Sequence, residues 1–259
     1  MQKIIIGNWK MYPTLSDTGV LAASLKTSLE TIKGAEVVIA PPTAWLLHVM
    51  DIWKTKPGHV HFAVQNIWSD DQGAYTGEIS AYMLKDLVGY AIIGHSERRQ
   101  YQKEESEMLS EKIKACLKWK IKPVLCVGEA KKVIEDGKVN SYQWSKLNEQ
   151  LEDGLEGISK DMIENVIIAY EPVWAIGTSN PATPEYTAEV IKKMRALLSE
   201  KYGEKTVEEL PFLYGGSVSA HNAGDYLRNP EIAGLLVGGA SVKAKDFTEI
   251  CQIASRVNH

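Results

Sequence analysis

The sequence has little cysteine, no excess of positive charge and no long apolar run. Its 259 residues include only three cysteines, with no Cys-x-x-Cys pair and no short Cys/His ladder, so neither a disulfide framework nor a zinc site of common spacing is predicted. Lys and Arg number 29 against 33 Asp and Glu, a net charge of −4. Because no overall positive field exists, nucleic acid and anionic membranes are not expected partners.

The apolar runs are also too short for a targeting core or a membrane span. The amino-terminal run Ile4–Ile6 follows Met1 and ends at Gly7, whereas a signal-peptide core needs about 7–15 apolar residues and a membrane helix about 20. We therefore predict a cytoplasmic protein. His59 and His61 could share one face of a strand and act as metal ligands. Polar residues are also expected at the solvent-exposed start of a strand, so no metal is predicted.

Short runs rich in Val and Ile recur eight times, separated by segments of helical spacing. The predicted strands are Ile4–Gly7, Val37–Ala40, Val60–Val64, Tyr90–Gly94, Pro123–Gly128, Val166–Tyr170, Phe212–Gly215 and Leu235–Gly239. They are continuous apolar runs, as in a parallel sheet that is covered on both faces.

The segments between the strands predict helices. Leu46, Val49, Met50 and Trp53 form one apolar stripe, Phe247, Ile250, Cys251 and Ala254 form another, and Thr183 is placed to cap a helix that begins at Pro184. Eight strand–helix pairs without a linker favour one α/β domain over residues 1–259, a closed (β/α)8 TIM barrel. The alternative, an open doubly wound sheet, usually has five or six strands.

Polar residues follow several predicted strands, where a barrel enzyme carries its chemistry. They are Asn8 and Lys10 after strand one, Gln65 and Asn66 after strand three, His95, Ser96 and Glu97 after strand four, and Glu171 after strand six. Strands seven and eight end in Gly215-Gly216-Ser217 and Gly238-Gly239. Glycines can be simple turn residues, but two such turns before helices predict backbone N–H groups that cradle a phosphate.

The same residues suggest an acid–base site. Lys10 is either a solvated lysine or the cation that an anionic substrate needs, and Asn8 can orient it. His95 precedes a predicted helix whose positive end opposes protonation, so we expect a neutral imidazole that donates a hydrogen bond. Glu171, followed by an apolar loop, is either paired with an arginine or a base whose basicity desolvation raises. Together these groups fit removal of a proton next to a carbonyl, an aldose–ketose isomerisation without a cofactor.

Six motifs spread along the whole chain resemble the triosephosphate isomerase family. They are Asn8-Trp9-Lys10-Met11, Gly94-His95-Ser96-Glu97-Arg98-Arg99, Cys126-Val127-Gly128-Glu129, Ala169-Tyr170-Glu171-Pro172-Val173-Trp174-Ala175-Ile176-Gly177-Thr178, Tyr214-Gly215-Gly216-Ser217-Val218 and Leu236-Val237-Gly238-Gly239-Ala240-Ser241. The resemblance implies interconversion of dihydroxyacetone phosphate and D-glyceraldehyde 3-phosphate in glycolysis and gluconeogenesis, through an enediolate and without a cofactor or metal.

The resemblance also implies a role for each matched residue. Glu171 is the base and His95 the electrophile, Lys10 neutralises developing charge, Asn8 lines the site and Glu97 supports Lys10. The phosphate is held through the backbone N–H groups of a set of four residues, Gly177, Ser217, Gly238 and Gly239. The segment from Gln65 to Ser80 resembles the loop that enters a neighbouring subunit, which implies a homodimer.

Three features depart from the family pattern. The segment Ser179-Asn180-Pro181-Ala182 ends the loop after strand six, and Pro181 restrains the backbone there. Tyr12-Pro13 and Tyr186 are also unusual, without a functional explanation from the sequence. Two alternative functions stay open: an aldolase in which Lys10 forms a Schiff base, and a barrel that has lost activity and serves as a scaffold.

Overall fold

A computed structural model describes residues 2–54, 58–178 and 180–257. Met1 and Ser179, which the sequence analysis used, lie outside these described residues. Eight parallel strands form a closed barrel, and the predicted TIM barrel is confirmed. In chain order the strands are β1 Lys3–Asn8, β2 Ala35–Ala40, β3 Val60–Val64, β4 Tyr90–Ile93, β5 Lys122–Val127, β6 Ile167–Tyr170, β7 Phe212–Tyr214 and β8 Gly234–Val237.

The barrel closes because the first and last strands pair. Each strand pairs in parallel with the next along the chain, and β1 pairs with β8, with Ile4 opposite Gly234 and Gly7 opposite Val237. The described strands of this sheet therefore leave no open edge, which excludes the doubly wound alternative. Since all eight strands run the same way, their carboxyl ends meet at one rim.

Eleven α-helical segments occur in the described part of the chain. They are α1 Leu15–Leu29, α2 Leu46–Ile52, α3 Ala81–Leu84, α4 Ser96–Tyr101, α5 Ser106–Lys118, α6 Ser141–Gly154, α7 Lys160–Ile163, α8 Pro184–Tyr202, α9 Glu204–Glu208, α10 Ala223–Leu227 and α11 Ala244–Val257. Three short 3-10 helices span Thr43–Trp45, Val173–Ala175 and Gly239–Val242. No helix in these described ranges is long and apolar enough to cross a membrane.

Local signals in the sequence explain two of these helices. Thr183 caps α8, its hydroxyl accepting the backbone N–H of Tyr186, and Pro184 is the first helical residue, as predicted. In α11 the predicted apolar stripe of Phe247, Ile250, Cys251 and Ala254 is buried. The stripe packs the helix against β1 and β2.

Successive side chains of each strand enter two different parts of the core. Ile4 and Ile6 point into the barrel, where they join side chains such as Val38. Ile5 and Val37 belong to the larger cluster between the strands and the outer helices. Because both faces are buried, the strands read as continuous apolar runs.

A small hairpin outside the barrel was not predicted from the sequence. Ile134–Glu135 and Lys138–Val139 form a small antiparallel hairpin after β5, around Asp136 and Gly137. Both turn residues have positive φ angles, 48° and 73°, and an Asp-Gly pair is a typical signal for this kind of turn. Just before the hairpin, Lys132 Nζ lies 5.2 Å from the centroid of the Trp174 ring, in the loop that follows β6.

The three cysteine thiols, which are all buried and free, give a direct test of the packing. Burial raises the pKa of each thiol above its usual range, so the reactive thiolate is scarce in the folded protein. We expect no reaction of the native protein with a thiol-specific disulfide reagent at pH 8, and three reacting groups per chain in denaturant. Rapid reaction of one thiol in the native state would contradict the packing of that cysteine.

Candidate active site

Residues that follow β1, β4, β6, β7 and β8 surround one cavity of about 510 Å³ at the carboxyl rim. Its lining contains all nine residues that the sequence analysis assigned to the site: Asn8, Lys10, His95, Glu97, Glu171, Gly177, Ser217, Gly238 and Gly239. The structure thus brings these residues together. Their individual roles stay predictions.

The end of β1 positions a lysine through a strained turn. Lys10 has a φ angle of 49°, in the left-handed region that non-glycine residues seldom adopt. The Oδ1 atom of Asn8 accepts the backbone N–H of Lys10 at 3.0 Å, and Gln65 donates to the Lys10 carbonyl at 3.0 Å. Asn8 therefore orients Lys10 by fixing its backbone, which is a role that the sequence analysis suggested for Asn8.

The ammonium group of Lys10 has a carboxylate partner. Lys10 Nζ lies 2.6 Å from Glu97 Oε1, and only 17% of the Lys10 side chain is exposed. Glu97 belongs to α4, so this ion pair joins the ends of β1 and β4. An ammonium held in this way is a fixed positive charge at the cavity wall, which suits an anionic substrate.

His95 caps the amino terminus of α4 and is almost fully buried. Its Nδ1 atom accepts the backbone N–H of Glu97 at 3.2 Å. An acceptor nitrogen carries a lone pair, so this hydrogen bond assigns the ring proton to Nε2. Nε2 faces Glu171 Oε1 at 3.1 Å and is the hydrogen-bond donor toward the cavity.

Glu171 follows β6 and is 2% exposed. Both of its carboxylate oxygens have donors: Oε1 faces His95 Nε2, and Oε2 accepts the backbone N–H of Ser96 at 2.9 Å. No arginine is among these donors, so the ion-pair alternative for Glu171 does not describe this site. Ser96, which the sequence analysis had not assigned a function, places its N–H at the end of α4 that attracts negative charge.

The pKa directions at this pair differ from the sequence-based expectations. Burial raises the pKa of Glu171, but His95 and the Ser96 N–H lower it by more, so the net direction is down. Burial lowers the pKa of His95, but the Glu171 carboxylate raises it by more. Burial acts in the direction that the sequence analysis expected for Glu171, and the contact between the two side chains outweighs it in this arrangement. The Glu97 N–H that donates to His95 Nδ1 fits a neutral ring.

The glycines after β7 and β8 leave room for neighbouring groups as well as for a ligand. A Cβ atom on Gly215 would lie 2.8 Å from Glu171 Cγ, and one on Gly238 would lie 3.1 Å from Lys10 Cε. Gly239 begins a 3-10 helix, whose first N–H groups have no acceptor within the helix. Gly238 and Gly239 line the cavity, and N–H groups at the start of a helix are suited to binding an anion.

The loop after β6 contacts the β7 glycine turn directly. The hydroxyl of Ser217 donates to the carbonyl of Ala175 at 2.8 Å, so in this arrangement the hydroxyl binds the loop. Gly177, at φ 68°, also lines the cavity. Thr178 Oγ1 accepts the N–H of Asn180 at 3.2 Å and shapes the loop before Pro181.

The two histidines considered as a metal pair have other contacts. His59 Nε2 lies 3.1 Å from the carbonyl of Leu29, and His61 Nε2 lies 3.5 Å from Glu36 Oε1. Over the described ranges, no group of three or more His, Cys, Asp or Glu side chains is arranged to hold a metal ion.

Comparison with known proteins identifies the family. The family model described as triosephosphate isomerase matches residues 3–254. The chain belongs to the triosephosphate isomerase family. Its relatives include the triosephosphate isomerases of Caldanaerobacter subterraneus subsp. tengcongensis, 43% identical over 95% of this chain and 97% of the relative, and of Dictyoglomus turgidum, 41% identical over 96% and 98%.

A third relative, the triosephosphate isomerase of Fusobacterium nucleatum subsp. nucleatum, is 42% identical over 95% of this chain and 96% of the relative. The resemblance that the motifs indicated is therefore confirmed, and with it the prediction of an isomerase. The family model covers the barrel from its first strand into its last helix, so all six motifs fall within the match.

The close approach between Gly128, which follows β5, and the backbone of Glu171 can be tested by one substitution. A Cβ atom on Gly128 would lie 1.7 Å from the Glu171 carbonyl oxygen, so Gly128→Ala must push the two strand ends apart. We expect a loss of stability of about 2–4 kcal/mol together with reduced activity. Gly89→Ala is the matched control, because a Cβ there meets nothing within 4 Å. Equal melting temperatures for the two variants would contradict this packing.

Proposed function

We propose that the chain interconverts dihydroxyacetone phosphate and D-glyceraldehyde 3-phosphate without a cofactor. The observation that carries the proposal is the pair of Glu171 Oε1 and His95 Nε2, 3.1 Å apart, in one cavity with Lys10 and the glycine turns of β7 and β8. A base, a neutral donor, a fixed cation and an anion cradle are the groups that proton transfer next to the carbonyl of a phosphorylated substrate needs. A place in glycolysis and gluconeogenesis, in the cytoplasm, rests on this proposed reaction.

The substrate phosphate binds at the cradle formed by the backbone of Gly177, Ser217, Gly238 and Gly239. This position leaves the carbonyl end of a three-carbon chain toward Lys10, His95 and Glu171. Contacts with the phosphate then fix the reacting carbon atoms near the base, so binding energy at a remote group assists the chemical step.

Glu171 acts as the base after it exchanges its present partners. In the described arrangement, the Ser96 N–H and His95 both stabilise its charged form and make it a weak base. Substrate binding draws the carboxylate away from Ser96, and the apolar side chains of Val173 and Ile176 at the cavity exclude water. Both changes increase the basicity of Glu171 and favour removal of the proton from carbon.

His95 and Lys10 stabilise the enediolate. The Nε2–H of His95 donates to the substrate oxygen and can hand its proton over and take it back as the double bond shifts. Lys10 balances the negative charge on the oxygens, with Glu97 and Asn8 holding it in place. Glu171 returns the proton to the neighbouring carbon, which completes the isomerisation.

Glu171→Gln should lower kcat by about two to four orders of magnitude, because the base is lost. Inorganic phosphate should still bind, because the cradle is unchanged. The measurement is interconversion of the two triose phosphates by purified protein. Glu231→Gln is the matched control: it removes a carboxylate that pairs with Arg195 and does not line the cavity.

Other outcomes of that measurement identify the alternatives. Activity of Glu171→Gln within a factor of two of the wild type would overturn the assignment of the base. No turnover by the folded wild-type protein would favour the scaffold function. An adduct trapped by borohydride on Lys10 would favour the aldolase, whereas the Lys10–Glu97 ion pair supports a charge-stabilising lysine.

We also propose that the chain forms a homodimer through the segment from Gln65 to Ser80. This loop is held at its base: Trp68 pairs with Ser80, and Asp71 accepts from Lys118 Nζ and Trp119 Nε1, each at 2.6 Å. Large apolar side chains are exposed in the loop and beside the cavity, among them Tyr75, Met11 and Tyr101. A partner surface that covers them would remove this apolar area from water.

Met11→Glu should dissociate the proposed dimer, because a charge buried in an apolar interface without a partner is strongly unfavourable. Met11 is 94% exposed, and Val20 on α1 is 72% exposed, so Val20→Glu is the matched control. Sedimentation should give twice the chain mass for the wild type and Val20→Glu, and the chain mass for Met11→Glu. A monomeric wild type would contradict the dimer.

A further inference from the structure

Tyr186, unusual in the sequence and unexplained by it, connects three segments near the active site. It lies in the first turn of α8, and its hydroxyl accepts the backbone N–H of Val133 at 2.8 Å and lies 3.3 Å from Glu129 Oε1. Its ring also packs edge-on against Trp174, with ring centroids 5.5 Å apart. Tyr186 therefore connects α8, to which it belongs, with the segment after β5 and with the loop after β6.

The carboxylate of Glu129 is the centre of this cluster. Its Oε1 atom accepts from three side chains: Tyr170 at 2.8 Å, Trp174 at 2.9 Å and Tyr186 at 3.3 Å. Within the described part of the chain its buried Oε2 atom has no hydrogen-bond partner. The side-chain hydrogen bonds to this buried carboxylate therefore come from the three donors, and the loss of one makes the carboxylate less stable in this position.

The cluster connects to the proposed base through a short stretch of backbone. Trp174 follows Glu171 by three residues, and Val173 N–H donates to the Glu129 carbonyl at 3.0 Å. In this same arrangement both oxygens of Glu171 are bound by Ser96 and His95. The Glu129 cluster therefore stabilises an arrangement in which the base is held back from a substrate.

We propose that Tyr186 is a positioning residue that, through Glu129 and Trp174, stabilises the resting arrangement of the loop after β6. The proposal rests on the proposed function, in which substrate binding draws Glu171 away from Ser96, and it adds that the loop after β6 moves with Glu171 into a second arrangement. A residue that favours the resting arrangement lowers the apparent affinity for any ligand that needs the other one.

The chemistry of the tyrosine supports this role. Burial, together with Glu129, raises the pKa of Tyr186 to about 12. The hydroxyl therefore stays protonated over the physiological range and can donate to Glu129 while it accepts from Val133. A phenylalanine keeps the edge-on ring contact with Trp174 and removes only the hydroxyl.

The test compares Tyr186→Phe with Tyr202→Phe. Tyr202 lies on the same helix and is buried, and its hydroxyl donates to the carbonyls of Leu155 and Ile158 at 3.4 and 3.3 Å. It is a matched control for the loss of a buried hydroxyl. The ligand is glycerol 3-phosphate, a three-carbon phosphate without a carbonyl group, and its Kd is measured by calorimetry.

We expect Tyr186→Phe to bind glycerol 3-phosphate about threefold more tightly than the wild type, as expected for the loss of one hydrogen bond from the resting arrangement. KM should fall with Kd. The amides of Val173, Ala175 and Ile176, which donate to the carbonyls of Glu129, Pro172 and Val173, should exchange with solvent deuterium about threefold faster. Tyr202→Phe should leave all three quantities at their wild-type values.

Unchanged or weaker binding by Tyr186→Phe would overturn the proposal, since a purely structural role for the hydroxyl predicts weaker binding. An equal change in Tyr202→Phe would overturn it as well, because the effect would then belong to any buried hydroxyl of α8. Failure of the wild type to bind glycerol 3-phosphate and to turn over triose phosphates would overturn the proposed function together with this inference.

Discussion

Closure of the parallel barrel is the constraint on which the rest of the molecule depends. Because β1 pairs with β8, the sheet has no open edge, and because the strands are parallel every carboxyl end reaches the same rim. Residues as distant in sequence as Asn8 and Gly239 therefore line one cavity. The apolar packing that stabilises the fold lies below and around this rim, so polar groups at the rim can serve chemistry without interrupting the core.

The rim holds several charged groups in a small, mostly buried space, and their arrangement reduces the cost of burial. Lys10 is paired with Glu97, and Glu171 is bound by His95 and the Ser96 N–H. A buried charge without such partners would be strongly unfavourable. These contacts also keep Glu171 a weak base in the described arrangement, so stabilising the resting protein and activating the base require different partners for the same carboxylate.

The Glu129 cluster is a second buried carboxylate at the same rim, with a structural role. It joins β6, the loop after it and the first turn of α8 through Tyr170, Trp174 and Tyr186. The sequence marks Tyr186 as unusual but gives it no function, because the hydrogen-bond partners of its hydroxyl lie more than 50 residues away. The hairpin after β5 was missed, although Asp136-Gly137 is a recognisable turn signal.

The order of the barrel strands, the cap of α8, the family and nine residues that line the cavity could be predicted from the sequence, because apolar periodicity, capping residues and motifs are local properties of a chain. Three other features could not be predicted: the net directions of the pKa shifts of Glu171 and His95, the left-handed backbone of Lys10 and the partner of the Ser217 hydroxyl. These depend on contacts between segments far apart in the chain. Electrostatic and hydrogen-bond energies change steeply over a few ångströms, and the order of residues does not specify such distances.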